Sequence, residues 1–193
     1  MESTEKLKEE IRKTTKILQQ GGIILYPTDT VWGIGCDATN PEAVARIYAL
    51  KKRKDAKTML LLLDDIGKLA SYVDVPTMAY DLLEVSVDRP MTIIYPHARN
   101  LASNLIAEDG TVGIRITKEV FSKGLIGCFK KPVVSTSANI SGSPAPACFD
   151  DICEEVCAGV DYIVDFRRNE HVAAVPSGII RLGMNNEIEI IRH

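Results

Sequence analysis

Three short stretches of this chain, together with two separate arginines, gather side chains suited to holding an anion and a zwitterion. The densest in charge is Lys51-Lys52-Arg53-Lys54-Asp55-Ala56-Lys57, with five cations in seven residues. Cations suit the C-terminus of a helix. They equally suit a polyphosphate, whose oxygens call for charge-assisted donors that arginine presents as a planar fork. The second stretch, Pro132-Val133-Val134-Ser135-Thr136-Ser137-Ala138-Asn139-Ile140-Ser141-Gly142, runs from apolar residues into hydroxyls, an amide and a glycine. It offers neutral donors to phosphate, ribose or base at a density that turn chemistry alone does not require. The third, Tyr26-Pro27-Thr28-Asp29-Thr30-Val31-Trp32-Gly33-Ile34-Gly35, passes from an apolar run through hydroxyls and a carboxylate to glycines. Hydroxyls there can bind a zwitterion and the glycines can let backbone approach a ligand, although an ordinary capped turn would read the same way. Arg115 interrupts the apolar run Val112-Gly113-Ile114-Arg115-Ile116. An arginine inside a sheet is costly unless paired, either with a structural carboxylate or with that of a ligand. Arg192 closes the last apolar run.

Other chemistries lack their parts. There is no GxxxxGK[ST], no GxGxxG after a strand, no HExxH and no GxSxG. His97, His171 and His193 fall in no catalytic spacing, which excludes Ser-His-Asp catalysis and metal-dependent hydrolysis of the usual kinds. The five cysteines, an odd number, read as free thiols. Cys153 and Cys157 are four apart on an expected helix with Cys148 nearby, but no CxxC pair or well-placed histidine completes a ligand set. They read as small apolar helix residues, and no metal site is expected. The net charge of -3 carries no global basic signature, so an RNA partner would have to meet a local patch. The longest apolar run, Met59 to Leu63, is far too short to cross a bilayer, and the charged N-terminus is no signal peptide. The chain reads as cytoplasmic, with no membrane partner.

The elements that must position these residues follow from periodicity. Residues 4–19 have helical spacing and stop at Gly21-Gly22, a left-handed cap. A buried strand is expected over Ile23–Tyr26, and Asn40-Pro41 reads as an N-cap with a first-turn proline. Further strands are expected over Met59–Leu63, Met91–Tyr95, Val112–Ile116, Pro132–Ser135, Tyr162–Val164, Gly178–Leu182 and Glu187–Ile191, the last two flanking a hairpin turn at Gly183–Asn186. Helical segments are expected twice between Ile66 and Ser86, and over Val120–Phe129 and Asp150–Ala158. Helices and strands alternate at first and the end turns antiparallel. The pattern predicts an α/β fold, one domain over residues 1–193, with a twisted mixed sheet flanked by helices.

Taken together and in order, Tyr26–Gly35, Lys51–Arg53 with Lys57, Thr111–Arg115, Ser135–Gly142 and Val175-Pro176-Ser177 resemble the YrdC family, the short-type threonylcarbamoyl-AMP synthases of tRNA threonylcarbamoyladenosine biosynthesis. The resemblance runs from about Ile11 to Arg192. It implies a YrdC-like sheet around a basic concave cleft. It also implies a reaction in which L-threonine, bicarbonate and ATP with Mg2+ give threonylcarbamoyl-AMP and pyrophosphate, a nucleotidyl transfer, with other proteins passing the product to tRNA. No residue is then a nucleophile or an acid–base catalyst; Lys51, Arg53 and Arg115 position substrate. By the same resemblance Thr30, Arg115, Ser135 and Ser177 bind threonine, and Lys51, Arg53, Lys57, Thr111, Ser137, Asn139 and Arg192 bind ATP. The chain departs from the family pattern at Lys54 and Thr58, where proline is usual, at Val87–Arg89, at Gly178 and at Arg181. Two alternatives stay open: a non-enzymatic double-stranded RNA-binding or translation-associated module, and a paralogue acting on another substrate.

Overall fold

A computed structural model describes residues 2–52, 59–85, 89–171, 176–185 and 187–192. The cationic residues Arg53 and Lys57, and the departures at Lys54, Thr58, Val87 and Asp88, lie outside the described residues. The first helix, α1 (Glu2–Gln19), ends where Gly21 takes a φ of 77°, with the Gly21 N–H on the Leu18 carbonyl and the Gly22 N–H on that of Ile17. This is the left-handed cap expected from the sequence. The chain then enters β1 (Ile24–Tyr26) and turns into β2 (Gly33–Gly35). Helix α2 (Pro41–Leu50) starts as predicted: the Asn40 side chain accepts from the N–H groups of Glu42 and Ala43, and Pro41 sits where no N–H is needed.

β3 (Leu60–Leu63) is followed by a 3-10 turn at Ile66–Ser71, α3 (Thr77–Val85) and β4 (Met91–Tyr95). β5 (Val112–Ile116), α4 (Val120–Phe129) and β6 (Val133–Ser137) come next. The helix expected over 150–158 is broken. Phe149–Asp151 forms a 3-10 turn and α5 spans Glu154–Gly159, because Ile152 and Cys153 both have extended backbone. Cys153 therefore caps α5 instead of sharing a helical face with Cys157. β7 (Tyr162–Ile163), β8 (Gly178–Leu182) and β9 (Ile188–Arg192) complete the described elements.

All nine strands join in one mixed sheet of order β7-β1-β2-β6-β3-β5-β4-β8-β9. Antiparallel pairs are not confined to the end, as the alternation of elements had suggested. β1 with β2, β2 with β6 and β3 with β6 are all antiparallel, while β3–β5, β4–β8 and β1–β7 are parallel. Alternate residues of each strand feed two cores. Leu25, Ile34, Leu61, Leu63, Ile93, Ile114 and Val134 pack with Val44 and Ile47 of α2 on one face. Ile24, Tyr26, Leu62 and Val133 pack with Ile11 and Leu18 of α1 and Phe121, Leu125 and Phe129 of α4 on the other.

The sequence reading missed β2 and took Gly33 and Gly35 as places for a ligand to approach backbone. Gly35 serves packing instead. A Cβ there would lie 2.5 Å from the Val134 carbonyl and 2.7 Å from the Tyr26 ring, so no side chain fits between β2, β6 and that ring. Gly35→Ala is predicted to destabilise the protein by about 1–3 kcal/mol through overpacking. Denaturant unfolding would read this as a lower midpoint at an unchanged slope.

Candidate functional site

The face covered by α1 and α4 changes character along the sheet. Register puts Arg115 beside Leu62, and Ser135 beside Leu60. Thr92 pairs with Ile179 on the same side, and a Cβ on Gly113 would touch Thr92. Small and polar residues here replace the apolar ones that a helix would need for packing, and the uncovered surface forms a cleft of about 480 Å3. The described lining includes Lys51, Arg115 and Arg192 and no carboxylate.

Eight sequence-predicted residues meet there: Thr30, Lys51, Arg115, Ser135, Ser137, Asn139, Ser177 and Arg192. Thr111 does not line this cleft. Its hydroxyl donates to Asp109 at 2.7 Å, and it lies about 13 Å along the strand from Arg115, four residues at roughly 3.3 Å each.

Lys51 follows α2 and is only 3% exposed. Its ammonium donates to the carbonyls of Ser137 at 2.5 Å and Asn139 at 2.6 Å, while the Lys51 carbonyl accepts from the Ser141 N–H. The lysine thus fastens the 137–141 loop to the end of α2. In this arrangement two of the ammonium's donors serve loop carbonyls and its charge is held at the cleft wall. Asn139 donates from Nδ2 to the Ser143 and Ile140 carbonyls, which leaves its Oδ1 buried without a hydrogen-bond partner among the described residues.

On the opposite wall, Ser177 is buried and its hydroxyl meets that of Thr92 at 2.9 Å. Arg192 donates from Nε and Nη2 to the Ser177 carbonyl at 2.9 and 2.7 Å. Its hydrogen bonds tie β9 to the strand-entry segment before β8, so Arg192 is a built part of the wall.

The floor holds Arg115, 3% exposed, with Nη2 3.0 Å from Asp29 Oδ1. Sequence reasoning required a carboxylate for Arg115 but did not name Asp29; the motif Pro27-Thr28-Asp29-Thr30 held it in plain view. The pair is close without being a well-aligned hydrogen bond. Arg115 Nε and Asp29 Oδ1 both stay without a hydrogen-bond partner among the described residues. With Asn139 Oδ1, three described buried side-chain atoms lack such a partner; Arg115 and Asn139 line this cleft, and Asp29 reaches it through its ion pair with Arg115 while lining the neighbouring pocket. Buried polar atoms are rarely left so, and where they cluster a ligand is the natural complement. Burial pushes the Asp29 carboxyl above its ordinary range, opposed by the positive charges of Arg115 and then Arg167. Burial likewise lowers Arg115, opposed by Asp29.

Thr30 stands at the rim. The Thr28 hydroxyl donates to the Val31 carbonyl at 2.7 Å and accepts from the Thr30 N–H at 3.1 Å. The Thr28 and Thr30 hydroxyls are 3.1 Å apart. Because the Thr28 proton is used on Val31, Thr30 is the donor of that pair and keeps lone pairs for a ligand cation.

Comparison with known proteins bears on the family and the fold. A family model named for Sua5, YciO and YrdC, and described as telomere recombination, matches residues 16–193. A threonylcarbamoyl-AMP synthase of Pseudoalteromonas translucida is 36% identical over 151 residues, 77% of this chain and 81% of that protein. The crystal structure of E. coli YciO superposes with a TM-score of 0.83 at 23% identity, over 95% of this chain and 88% of that one. P. abyssi Sua5 complexed with L-threonine superposes with a TM-score of 0.81 at 25% identity, over 89% of this chain; the match spans 50% of the Sua5 chain.

Asp29 is predicted to take up its proton above the ordinary aspartate value. Its contribution to stability is then fully present below the unfolded value and is lost as pH rises through the folded one. A carboxyl 13C titration checks the direction. A midpoint below the ordinary value would mean that Arg115 outweighs burial, and Asp29→Asn should remove this pH dependence.

Proposed function

Because the chain belongs to the Sua5/YciO/YrdC family, we propose that it is a nucleotidyltransferase that makes threonylcarbamoyl-AMP from L-threonine, bicarbonate and ATP. The observation that carries the reading is that Arg115 Nε and Asn139 Oδ1, both buried and without hydrogen-bond partners among the described residues, meet at a cleft whose described lining carries Lys51, Arg115 and Arg192 and no carboxylate. Residues 1–193 act in this reading as one YrdC-like domain in the cytoplasm. Among the described residues no helix is long and apolar enough to cross a membrane.

Threonine enters beside Thr30, with its carboxylate toward Arg115 and its remaining polar groups toward Ser135 and Ser177. Its amine nitrogen bonds to the carbon of carbon dioxide, released from bicarbonate with loss of water, and the product is a carbamate. A carbamate oxygen then bonds to the α-phosphorus as the bond from that phosphorus to pyrophosphate breaks. The nucleophile belongs to the substrate, so the protein needs no activated serine or cysteine. Its work is to align two bound molecules and to offset phosphate charge. Lys51, Arg53, Lys57 and Arg192 supply that charge; Ser137 and Asn139 supply neutral contacts. ATP arrives as its magnesium complex. No described lining residue carries a carboxylate, and the ion would be held mainly through ATP oxygens and water. We give Thr111 the outer end of the nucleotide, provided its hydroxyl leaves Asp109.

The product then passes to tRNA through separate transfer proteins. A double-stranded RNA helix is read across a broad surface, whereas a cleft of about 480 Å3 suits small molecules, which favours the synthase over the RNA-binding module. A paralogue acting on another substrate would keep the cleft but lose the dependence on threonine.

Purified protein should release pyrophosphate from ATP only when both threonine and bicarbonate are present, with serine as the control amino acid. Release independent of threonine would sink the reading. Arg53→Ala and Arg115→Ala should each lower kcat/KM by at least about 10–100-fold, the loss of one charge-assisted contact. Arg115→Lys, which keeps a cation beside Asp29, separates that loss from misfolding.

A further inference from the structure

We propose that Arg167 is a positioning residue for the threonine side of the cleft, holding Thr30 and Asp29 in place through the backbone of Thr28. The proposal rests on the synthase reading. Arg167 follows β7 and does not line the cleft. Its Nη1 donates to the Thr28 carbonyl at 3.2 Å, 139 residues away in sequence. The peptide that this bond fixes is the one leading into Asp29. Its orientation decides where the Asp29 carboxylate meets Arg115 and where Thr30 faces the cleft.

The guanidinium is itself held on two sides. Nε donates to Glu170 at 2.6 Å, and Nη1 lies 3.4 Å from the carboxylate of Glu119. Glu119 is 6% exposed and cannot follow a wandering partner, because its two oxygens accept from the N–H groups of Phe121 and Ser122 at the start of α4. Ser122 in turn donates from its hydroxyl to the Pro27 carbonyl at 3.0 Å. The carbonyls of Pro27 and Thr28 are thus each gripped from outside the loop, one by α4 and one by Arg167. The next residue braces the loop's far end. Arg168 turns back to the carbonyls of Ile163 and Val164 and lies 5.1 Å over the Phe149 ring, which packs on Trp32 at 5.0 Å between ring centres.

The backbone strengthens the case. Arg167 has a φ of 59°, in the left-handed region that L side chains rarely adopt and glycine adopts freely. The strain is borne while the guanidinium makes its contacts to Thr28, Glu119 and Glu170. The same geometry supplies a clean test, since Arg167→Gly removes the guanidinium while easing the backbone. Arg167→Lys returns one charged donor.

Threonine binding by calorimetry and the KM values for threonine and ATP in pyrophosphate release would be measured for wild type and both variants, alongside thermal unfolding. In Arg167→Gly the threonine Kd and KM should rise by about tenfold, as expected for one lost charged contact, with the KM for ATP within about twofold and partial recovery in Arg167→Lys. Unchanged threonine values, or equal rises for threonine and ATP that track a lower melting temperature, would overturn the positioning role while leaving the synthase reading intact. Wild-type protein that neither binds threonine nor needs it for pyrophosphate release would overturn both.

Discussion

A guanidinium sealed inside a β-sheet sets the terms for everything near it. Arg115 sits on a strand flanked on both sides and is only 3% exposed, so water solvates it poorly. A lone charge at such depth would neutralise or unfold its surroundings, so a carboxylate must come to it. Asp29 does, from the loop between β1 and β2, and that requirement fixes how the loop leaves the sheet. Arg115 also needs room. Gly113, Thr92 and Ser135 around it are small, and α1 and α4 cover only the apolar part of that face. The cleft is the space left when a sheet carries a charge that no helix can pack against.

The other cations of the site are fasteners as well as charges. Lys51 holds the carbonyls of Ser137 and Asn139, and Arg192 holds that of Ser177. A cation bonded to main-chain carbonyls keeps its charge while giving up conformational freedom before a ligand arrives. Such pre-organisation reduces the ordering that binding must otherwise impose on rotamer-rich side chains. It also makes these residues poor subjects for simple truncation, because removing the charge releases a loop with it.

Much of this was legible in the sequence, for identifiable reasons. The buried strand Leu60–Leu63 announces itself as an apolar run, and Asn40-Pro41 and Gly21 mark helix ends by local chemistry alone. Arg115 stood out because a charge inside an apolar run demands an explanation. β2 did not, because Gly33-Ile34-Gly35 has almost no side chains to show a pattern and owes its place to the packing of Tyr26 and Val134. The split at Ile152 and Cys153 rests on backbone angles that a helical spacing of apolar residues cannot reveal. Asp29 was visible as a residue and invisible as a partner. Arg167 carried no signal at all, since its role depends on a contact with a carbonyl 139 residues away. Local motifs can name the cleft-facing groups, but the groups that hold them are chosen by topology.

The parallel pairing of β1 with β7 has a consequence in time. Ile24 lies beside Tyr162, and Leu25 beside Ile163, so β1 waits for a strand made 138 residues later. At synthesis rates of about 5–20 residues per second, the 138 residues between Ile24 and Tyr162 take on the order of ten seconds to appear. Until then the outer edge of β1 is bare and its apolar residues are a liability for aggregation. Contacts this distant in sequence also slow folding once the chain is complete. The nascent chain is therefore most exposed to chaperones and proteases before β7 emerges.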